Sequence, residues 1–340
     1  MTQVSLNPKG QAFVRATILK ALVGGNYESL LRAACHRWGD HNGQLVAKAA
    51  VSALTSADIG NVAAVEFFGL IMERSLLGRM AGLRRVPFNR RMLKMTGGST
   101  AYWVGQGKPV PVSKPSVAGA SLEPLKVAAI ICMTDESLTA AGTVAENAFQ
   151  RDLERAVVDV VDQALIDASN AGVADEVPAA ITYGAPTAAA TGDASADIAT
   201  LINLFAGDLG AAYFVTDATT ATNMALHRTT TGDKEFPDVG ARGGSILGIP
   251  LLISRASPRD SSGGQLALID PTGIAYGADG IDIVKSSQAT LAMSDTPESE
   301  PDLVSLWQTN TVAFKSDMTA NWEVQRTGSV ATLTGVAWGA

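Results

Sequence analysis

Apolar residues recur at two different periods along this chain, and the change of period divides it. Val14, Ile18, Ala21 and Leu22 lie at i, i+4, i+7 and i+8, the stripe of an amphipathic helix. Residues 11–56 are predicted to be largely helical: Asn26 caps a second helix over Tyr27–Trp38, and the alanine-rich Gln44–Leu54 makes a third. From Asp58 to Met80 no alternation develops, and the apolar pairs Phe67–Phe68 and Leu76–Leu77 read as helix and turn. At Pro87 the pattern changes. Phe88–Met95 and Tyr102–Val104 predict strands, interrupted at Gly97–Gly98. Gly105, Gly107, Pro109, Pro111 and Pro115 then rule out a central ladder strand, since proline gives a ladder no N–H. Extended structure resumes over Ser121–Met133. The prediction is a long two-stranded tongue with an irregular tip, carrying a tryptophan, Trp103, that it cannot cover by itself.

Thr143-Val-Ala-Glu146 has the spacing of a capping box, in which the Thr oxygen accepts a backbone N–H and the Glu reaches back to the cap. The helix behind it runs to about Ala168, with Phe149, Leu153, Val157, Val160, Ala164 and Leu165 as its expected buried stripe. Its length is on the order of 38 Å. Asn170 and Gly172 stop it, and Ala179–Asp193 reads as a linker or surface loop. An alternating α/β pattern follows: a helix capped by Ser195 and ending at Phe205, a strand Tyr213–Thr216, and a helix capped by Asp217 and ending at His227. Thr229–Gly244 is a long polar loop. Ile249–Ser254, Gln265–Ile269 and Ile281–Val284 are strands, Ser294–Pro301 is acidic and reads as disordered, and Val304–Phe314, Trp322–Arg326 and Val330–Val336 close the chain as strands. No repeat of fixed period is present.

Length and charge sharpen this picture. A chain of 340 residues exceeds one compact core and calls for two domains, or one with long extensions. The composition, 46% apolar and 17% charged, suits a protein that hides much of its surface against other chains. The net charge of −7 is unevenly spread: residues 1–95 hold 13 Lys/Arg and 5 Asp/Glu, a balance of +8, and the rest hold 13 and 28, a balance of −15. Arg74, Arg79, Arg84, Arg85, Arg90 and Arg91 therefore have three readings: solvated helix faces, basic arms on acidic bodies of neighbouring copies, or contacts to DNA. No apolar run approaches the roughly 18 residues that span a bilayer, so no membrane contact is expected. The densest, Leu125–Met133, contains Lys126, and Arg15 and Lys20 interrupt any signal-peptide core. Cys35 and Cys132 read as reduced, buried residues.

Catalytic constellations are scarce. His36 and His41 lie near Cys35, but a zinc site needs three or four convergent ligands and no further Cys or His lies nearby. His227 ends a helix, where partial positive charge suits the dipole. Neither a Walker A loop nor a G-x-G-x-x-G after a strand occurs, and Gly243-Gly244-Ser245 lacks the spacing of a nucleophile elbow. Asp217, Asp233, Asp238, Asp260 and Asp270 are scattered among loops. No catalytic residue, cofactor or metal is expected.

The linear order is more specific than any motif. A helical arm, an extended glycine/proline tongue, an apolar strand, a capped long helix, an α/β region and closing strands follow one another. Tyr102-Trp103-Val104-Gly105-Gln106-Gly107 resembles the aromatic–acid–glycine turn at the tip of an extended loop (E-loop), with Gln106 where an acid is usual. Leu125–Met133 followed by Thr134-Asp135-Glu136-Ser137-Leu138 resembles a strand and step into a spine helix. Leu247-Gly248-Ile249-Pro250-Leu251, Ala267–Pro271 and Val312–Val336 resemble later segments of the same pattern. Over roughly residues 60–340 the chain thus resembles the major capsid proteins of tailed phages, whose fold is named after phage Hong Kong 97.

The resemblance implies an α+β Hong Kong 97-like fold. Its segments would be an N-terminal helical arm at 1–60, a lead-in at 61–96, the E-loop at 97–124, a peripheral P-domain with the spine helix at 125–190, and an axial A-domain at 191–303. P-domain strands at 304–327 and a last A-domain strand at 328–340 complete it. The chain begins at Met1, so residues 1–60 are expected as a retained internal arm. The implied partners are further copies in hexamers and pentamers, with portal, scaffold and decoration proteins, and packaged double-stranded DNA touched weakly. The implied location is a virion capsid assembled in a host bacterial cytoplasm. Tyr102, Trp103, Lys108, Val110, Lys114, Arg84, Arg85, Arg90 and Arg91 are the expected contacts between subunits. Some members of that family cross-link a tongue lysine to a distant asparagine. Lys108, Lys114, Asn310 and Asn321 are available, but no pair aligns. Two other functions stay open: an encapsulin-type nanocompartment shell, and a cytoplasmic α/β hydrolase with a Rossmann-like half at 195–290.

Overall fold

The computed structural model describes residues 15, 16, 19, 27–39, 42–44, 46, 47, 68–97, 101–106, 108–110, 112, 116–136, 143–229, 231–294 and 303–338. The first elements in chain order are helix α1 (Tyr27–Trp38), helical residues 68–74, and the one-turn helix α2 (Leu76–Arg79). Strands β1 (Arg84–Arg85), β2 (Arg91–Gly97), β3 (Ser116–Ser121) and β4 (Lys126–Thr134) follow, then helix α3 (Thr143–Ile166). Next come β5 (Thr187–Ala189), α4 (Ala194–Leu204), β6 (Tyr213–Thr216) and α5 (Ala218–Leu226). The short strands β7 (Val239–Gly240), β8 (Gly243–Ile246), β9 (Ile249–Ile253) and β10 (Arg259–Asp260) lead to β11 (Gly263–Ile269) and β12 (Ile274–Ser286). Strands β13 (Thr290–Ala292), β14 (Leu303–Ser305), β15 (Thr311–Val324) and β16 (Val330–Val336) end the chain. Two compact units result, one from residues 1–74, 126–158 and 279–319, the other from 75–125, 159–278 and 320–340.

The second unit is built on a mixed eight-stranded sheet in the order β5-β16-β11-β6-β9-β8-β7, with β10 paired to β11 off this path. β6 lies near its middle, antiparallel to β11 and parallel to β9. Strand β11 is buried at every position, so it shows no alternation in the sequence. Its one long polar side chain, Gln265, donates to the Ile166 carbonyl at 2.9 Å. Phe214, Leu201, Met224, Leu266, Leu268, Leu333 and Trp338 join in one apolar cluster. Asp217 caps α5 as expected, accepting the Thr219 and Thr220 N–H groups.

Several expectations are corrected here. Ala179–Asp193 is no linker: Ala180, Ile181 and Thr182 are buried, and β5 pairs in parallel with β16. Three small residues are too few to show a strand period, and it is the neighbour that makes Thr187–Ala189 a strand. Asp193, not Ser195, caps α4, accepting the Ala196 N–H at 3.1 Å. Strand β12 begins at Ile274 instead of Ile281. Strand β15 is continuous where two strands were expected; Phe314, Ser316, Met318, Ala320 and Trp322 alternate inward, but Ser316 and Ala320 hide the period. Tyr102–Val104 is not a strand, having no ladder partner among the described residues. The expected third helix over 44–54 and the disordered reading of 294–301 lie almost wholly outside the described residues.

In the first unit β4 and β15 form an antiparallel ladder from Thr311↔Thr134 to Thr319↔Lys126, and β13 pairs with β14. Ala16, Leu19, Leu30, Ala34, Val46 and Ala47 form a small helical cluster, with the Arg15 and Arg37 guanidiniums each 5.6 Å from the Trp38 ring. Cys35 and Cys132 are half-buried, where burial was expected. No helix among the described residues is long and apolar enough to cross a membrane.

Helix α3 buries Leu153, Val157, Val161 and Leu165 at a spacing of four. Val160, expected in that stripe, is exposed, lying about 100° round the helix from Val161. Two acids share the covered positions. Glu154 pairs with Arg74 at 2.9 Å. Asp162 accepts the Leu76 N–H at 2.8 Å and the Ser254 hydroxyl at 2.9 Å. Burial raises the Asp162 carboxyl from 3.8 to about 6, against the opposing pull of those two bonds and of Arg79. A carboxyl raised in the folded state binds its proton there more tightly than when unfolded. It therefore costs nothing below pH about 4, and its cost grows to pH about 6 and is constant above, reaching roughly 3 kcal/mol. Asp162→Asn should remove that part of the pH dependence. In urea unfolding of the dissociated subunit, the variant should gain on the wild type by about 2–3 kcal/mol between pH 4 and 7.5. A difference that stays flat across this range contradicts the assignment.

Candidate intersubunit surfaces

The tongue is the pair β2–β3, in register from Arg91↔Ser121 to Gly97↔Ser116 with a bulge near its outer end. Among the described residues it has no third strand. Its root is fixed: Met92, Val86, Leu122 and Ala275 are buried together with Phe88 against them, and Asn89 donates its N–H to the Leu122 carbonyl at 2.8 Å. Lys94 pairs with Glu323 at 2.6 Å, and the Asn321 amide donates to the Glu123 carbonyl at 2.8 Å. Beyond the bulge the described residues hold no regular structure. There Trp103 is 105% exposed, Val112 93% and Val110 73%, while Tyr102, Val104 and Lys108 are also exposed. Among the described residues nothing covers this set of large apolar side chains. Lys114, also expected at the tip, lies outside the described residues. Val112 follows Pro111 in a stretch where prolines and glycines dominate the pattern, and no apolar period marks it in the sequence.

Arg84, Arg85, Arg90 and Arg91 sit at the tongue root and are all exposed. They line a single concavity of about 470 Å3 with Val86, Pro87 and Met92. The structure thus brings the four together, and separates them from the apolar tip by the length of the hairpin.

Leu247 carries no local signal in the sequence but stands out in the structure. It stands with Gly248 in the two-residue turn between β8 and β9, at φ 53°, and is 76% exposed. Left-handed backbone is costly for a leucine, and such turns favour Asn-Gly. It borders a groove of about 340 Å3 lined by Ile198, Ile202, Phe236 and Ile246. Leu247→Asn should raise subunit stability by about 1 kcal/mol, read as a melting temperature a few degrees higher. An unchanged or lower value would show that the turn holds no strain. Trp307 and Leu303 are exposed as well, in the other unit.

The scattered acids serve local structure. Asp217 caps α5, Asp260 accepts the Ser262 and Gly263 N–H groups, and Asp270, fully buried, accepts those of Asp208 and Thr272 and pairs with Arg326. His227 caps the end of α5, and its Nδ1 lies 2.8 Å from Glu235, a partner the sequence did not reveal. Among the described residues no three His, Cys, Asp or Glu side chains converge as metal ligands; His41 is not among those residues. The two asparagines weighed for cross-linking are engaged within their own units, Asn310 with Glu136 at 2.7 Å and Asn321 with the Glu123 carbonyl.

A family model described as the phage capsid family matches residues 61–335. A capsid polyprotein of Pseudomonas phage PAJU2 is 34% identical over 323 residues, which is 87% of this chain and 48% of that protein. The chain thus spans about half the length of that curated relative. A solved chain of Mycobacterium phage Cain superposes with a TM-score of 0.55 at 19% identity, over 75% of this chain and 89% of that one. The capsid of a native GTA particle gives 0.54 at 15% identity, over 76% and 88%. Likeness at such low identity concerns the fold, and it bears out the α+β, Hong Kong 97-like architecture expected from the order of elements. The family match opens ahead of helical residues 68–74 and closes inside β16, taking in the arginine run, the tongue and α3, and on that extent this chain belongs to the phage capsid family.

Proposed function

We propose that this chain is the major head protein of a tailed double-stranded DNA phage, and that its copies close as hexamers and pentamers into an icosahedral shell around the genome. The observation that carries this reading is the tongue, a two-stranded hairpin whose tip exposes Trp103, Val110 and Val112 to solvent. An isolated hairpin is marginal in water, so it requires an external surface. The adjacent subunit supplies that surface, and burying each large side chain there contributes roughly 1.5–3 kcal/mol. The tongue's prolines lower its entropy before docking and keep its edges from pairing with wrong strands.

The segments take the roles set out from the sequence. Residues 1–60 are an internal arm, 97–124 the tongue, 125–190 with 304–327 a peripheral domain, and 191–303 with 328–340 an axial domain around the shell's rotation axes. Portal, scaffold and decoration proteins are its further partners, DNA is touched weakly by arm arginines, and assembly takes place in the host cytoplasm. The protein works by assembly and not by catalysis. Particle contents test the proposal against the nanocompartment reading. Shells isolated from cells producing the whole phage should hold nuclease-protected double-stranded DNA. Shells that hold a stoichiometric protein cargo and no DNA would replace the proposal with that reading.

A further inference from the structure

Residues 74–122 contain nine Lys/Arg and no Asp/Glu, and residues 156–227 hold nine Asp/Glu and no Lys/Arg. The first stretch carries the tongue. The second supplies one wall of a concavity of about 440 Å3 at the tongue's root, where Lys94, Ser121 and Glu123 form another part of the lining. Of the apolar lining, Leu125, Ile181 and Trp322 are buried, while Val173, Val177 and Tyr183 are exposed. This wall is built to keep its shape. Val173 and Val177 exchange backbone hydrogen bonds of 2.8 and 3.0 Å, and the Asn170 amide donates to the Ala164 and Pro178 carbonyls at 3.0 Å each. Glu123, Asp175 and the adjoining Glu176 are exposed, and no cation among the described residues pairs with them.

The tongue tip has the complementary character. Trp103, Val110 and Val112 are exposed there, and the exposed Lys108 stands among them, its N–H donating to the Gly105 carbonyl at 3.1 Å. A tongue cannot fill the concavity at its own root, because the ladder from Arg91↔Ser121 to Gly97↔Ser116 holds the tip roughly 20 Å away. Resting on the shell-forming role proposed above, we propose that the tip of one copy's tongue, led by Trp103, seats in the concavity at the root of the next copy's tongue. Val173, Val177 and Tyr183 cover the indole, and Lys108 meets the carboxylates of Asp175 and Glu176. Tip and concavity lie at opposite ends of one hairpin, so the contact is head-to-tail, and its repetition around a rotation axis closes a ring.

The test fills the concavity in the full chain. Ala171 lines it and is exposed, so Ala171→Trp should keep the wild-type circular dichroism spectrum. The same variant should lower shell yield at least tenfold, because the seat is already taken. Adding Trp103→Ala, which removes the colliding indole, should restore most of the yield. In a second measurement, shells with Val104→Cys and Ala174→Cys should give a ladder of multimers on a non-reducing denaturing gel after oxidation, and either substitution alone should give none. Normal shells from Ala171→Trp, failure of the double variant to recover, or oxidised chains that stay monomeric would overturn the seating. Should the unsubstituted chain form no shells, the shell-forming role fails, a result distinct from all of these.

Discussion

Trp103→Asp leaves the subunit folded and soluble but prevents closed shells. The folded state is spared because Trp103 is 105% exposed and lies beyond the paired part of the tongue, where it covers nothing of its own body. In the proposed shell, assembly suffers twice. The docked tongue loses an apolar contact of about 3 kcal/mol, and the surface that received the indole must now meet a carboxylate. A single contact weakened by that amount changes its equilibrium constant by more than a hundredfold. Every subunit repeats the defect, so closure fails throughout. Sedimentation should show small species with an unchanged circular dichroism spectrum. Intact particles of the variant in electron micrographs would refute the role given to the tongue.

Phe214→Ala should act at the opposite level, on folding itself. Phe214 has no exposed surface, sits on β6 between β11 and β9, and joins the cluster that binds α4 and α5 to the sheet. Removing a phenyl ring from such a site loses its transfer free energy and leaves a cavity, together about 3–5 kcal/mol. For a unit of this size the melting temperature of the dissociated subunit should fall by roughly 10 °C. A drop of only one or two degrees would mean that the sheet can collapse onto the space, and that the core is less tightly packed than the burial indicates.

Strong local signals made much of the architecture legible. Tyr27–Trp38 carries a clear helix pattern, Tyr213–Thr216 lies between turn residues, and Asp217 is an N-cap with its helix behind it; all three were readable. The tongue was legible because proline and glycine forbid alternatives. Strand β5 was not, since Thr187–Ala189 becomes a strand only through β16, far away in sequence. The cap of α4 was misplaced by two residues because Asp193 and Ser195 are both good caps, and only geometry chooses between them. At the candidate surfaces, composition pointed to Trp103 and the arginines. Leu247 stayed hidden because its interest lies in a backbone angle, which a sequence does not state. The Asp162 environment was equally silent, being assembled from Leu76 and Ser254, which lie 86 and 92 residues away along the chain.

The proposed role, in which the subunit completes its apolar surface against further copies, makes one demand above others. Purified and unsubstituted, at neutral pH and moderate salt, the subunit should give closed hollow particles under negative-stain electron microscopy. A field of small discrete molecules that stays unchanged as concentration rises would contradict it.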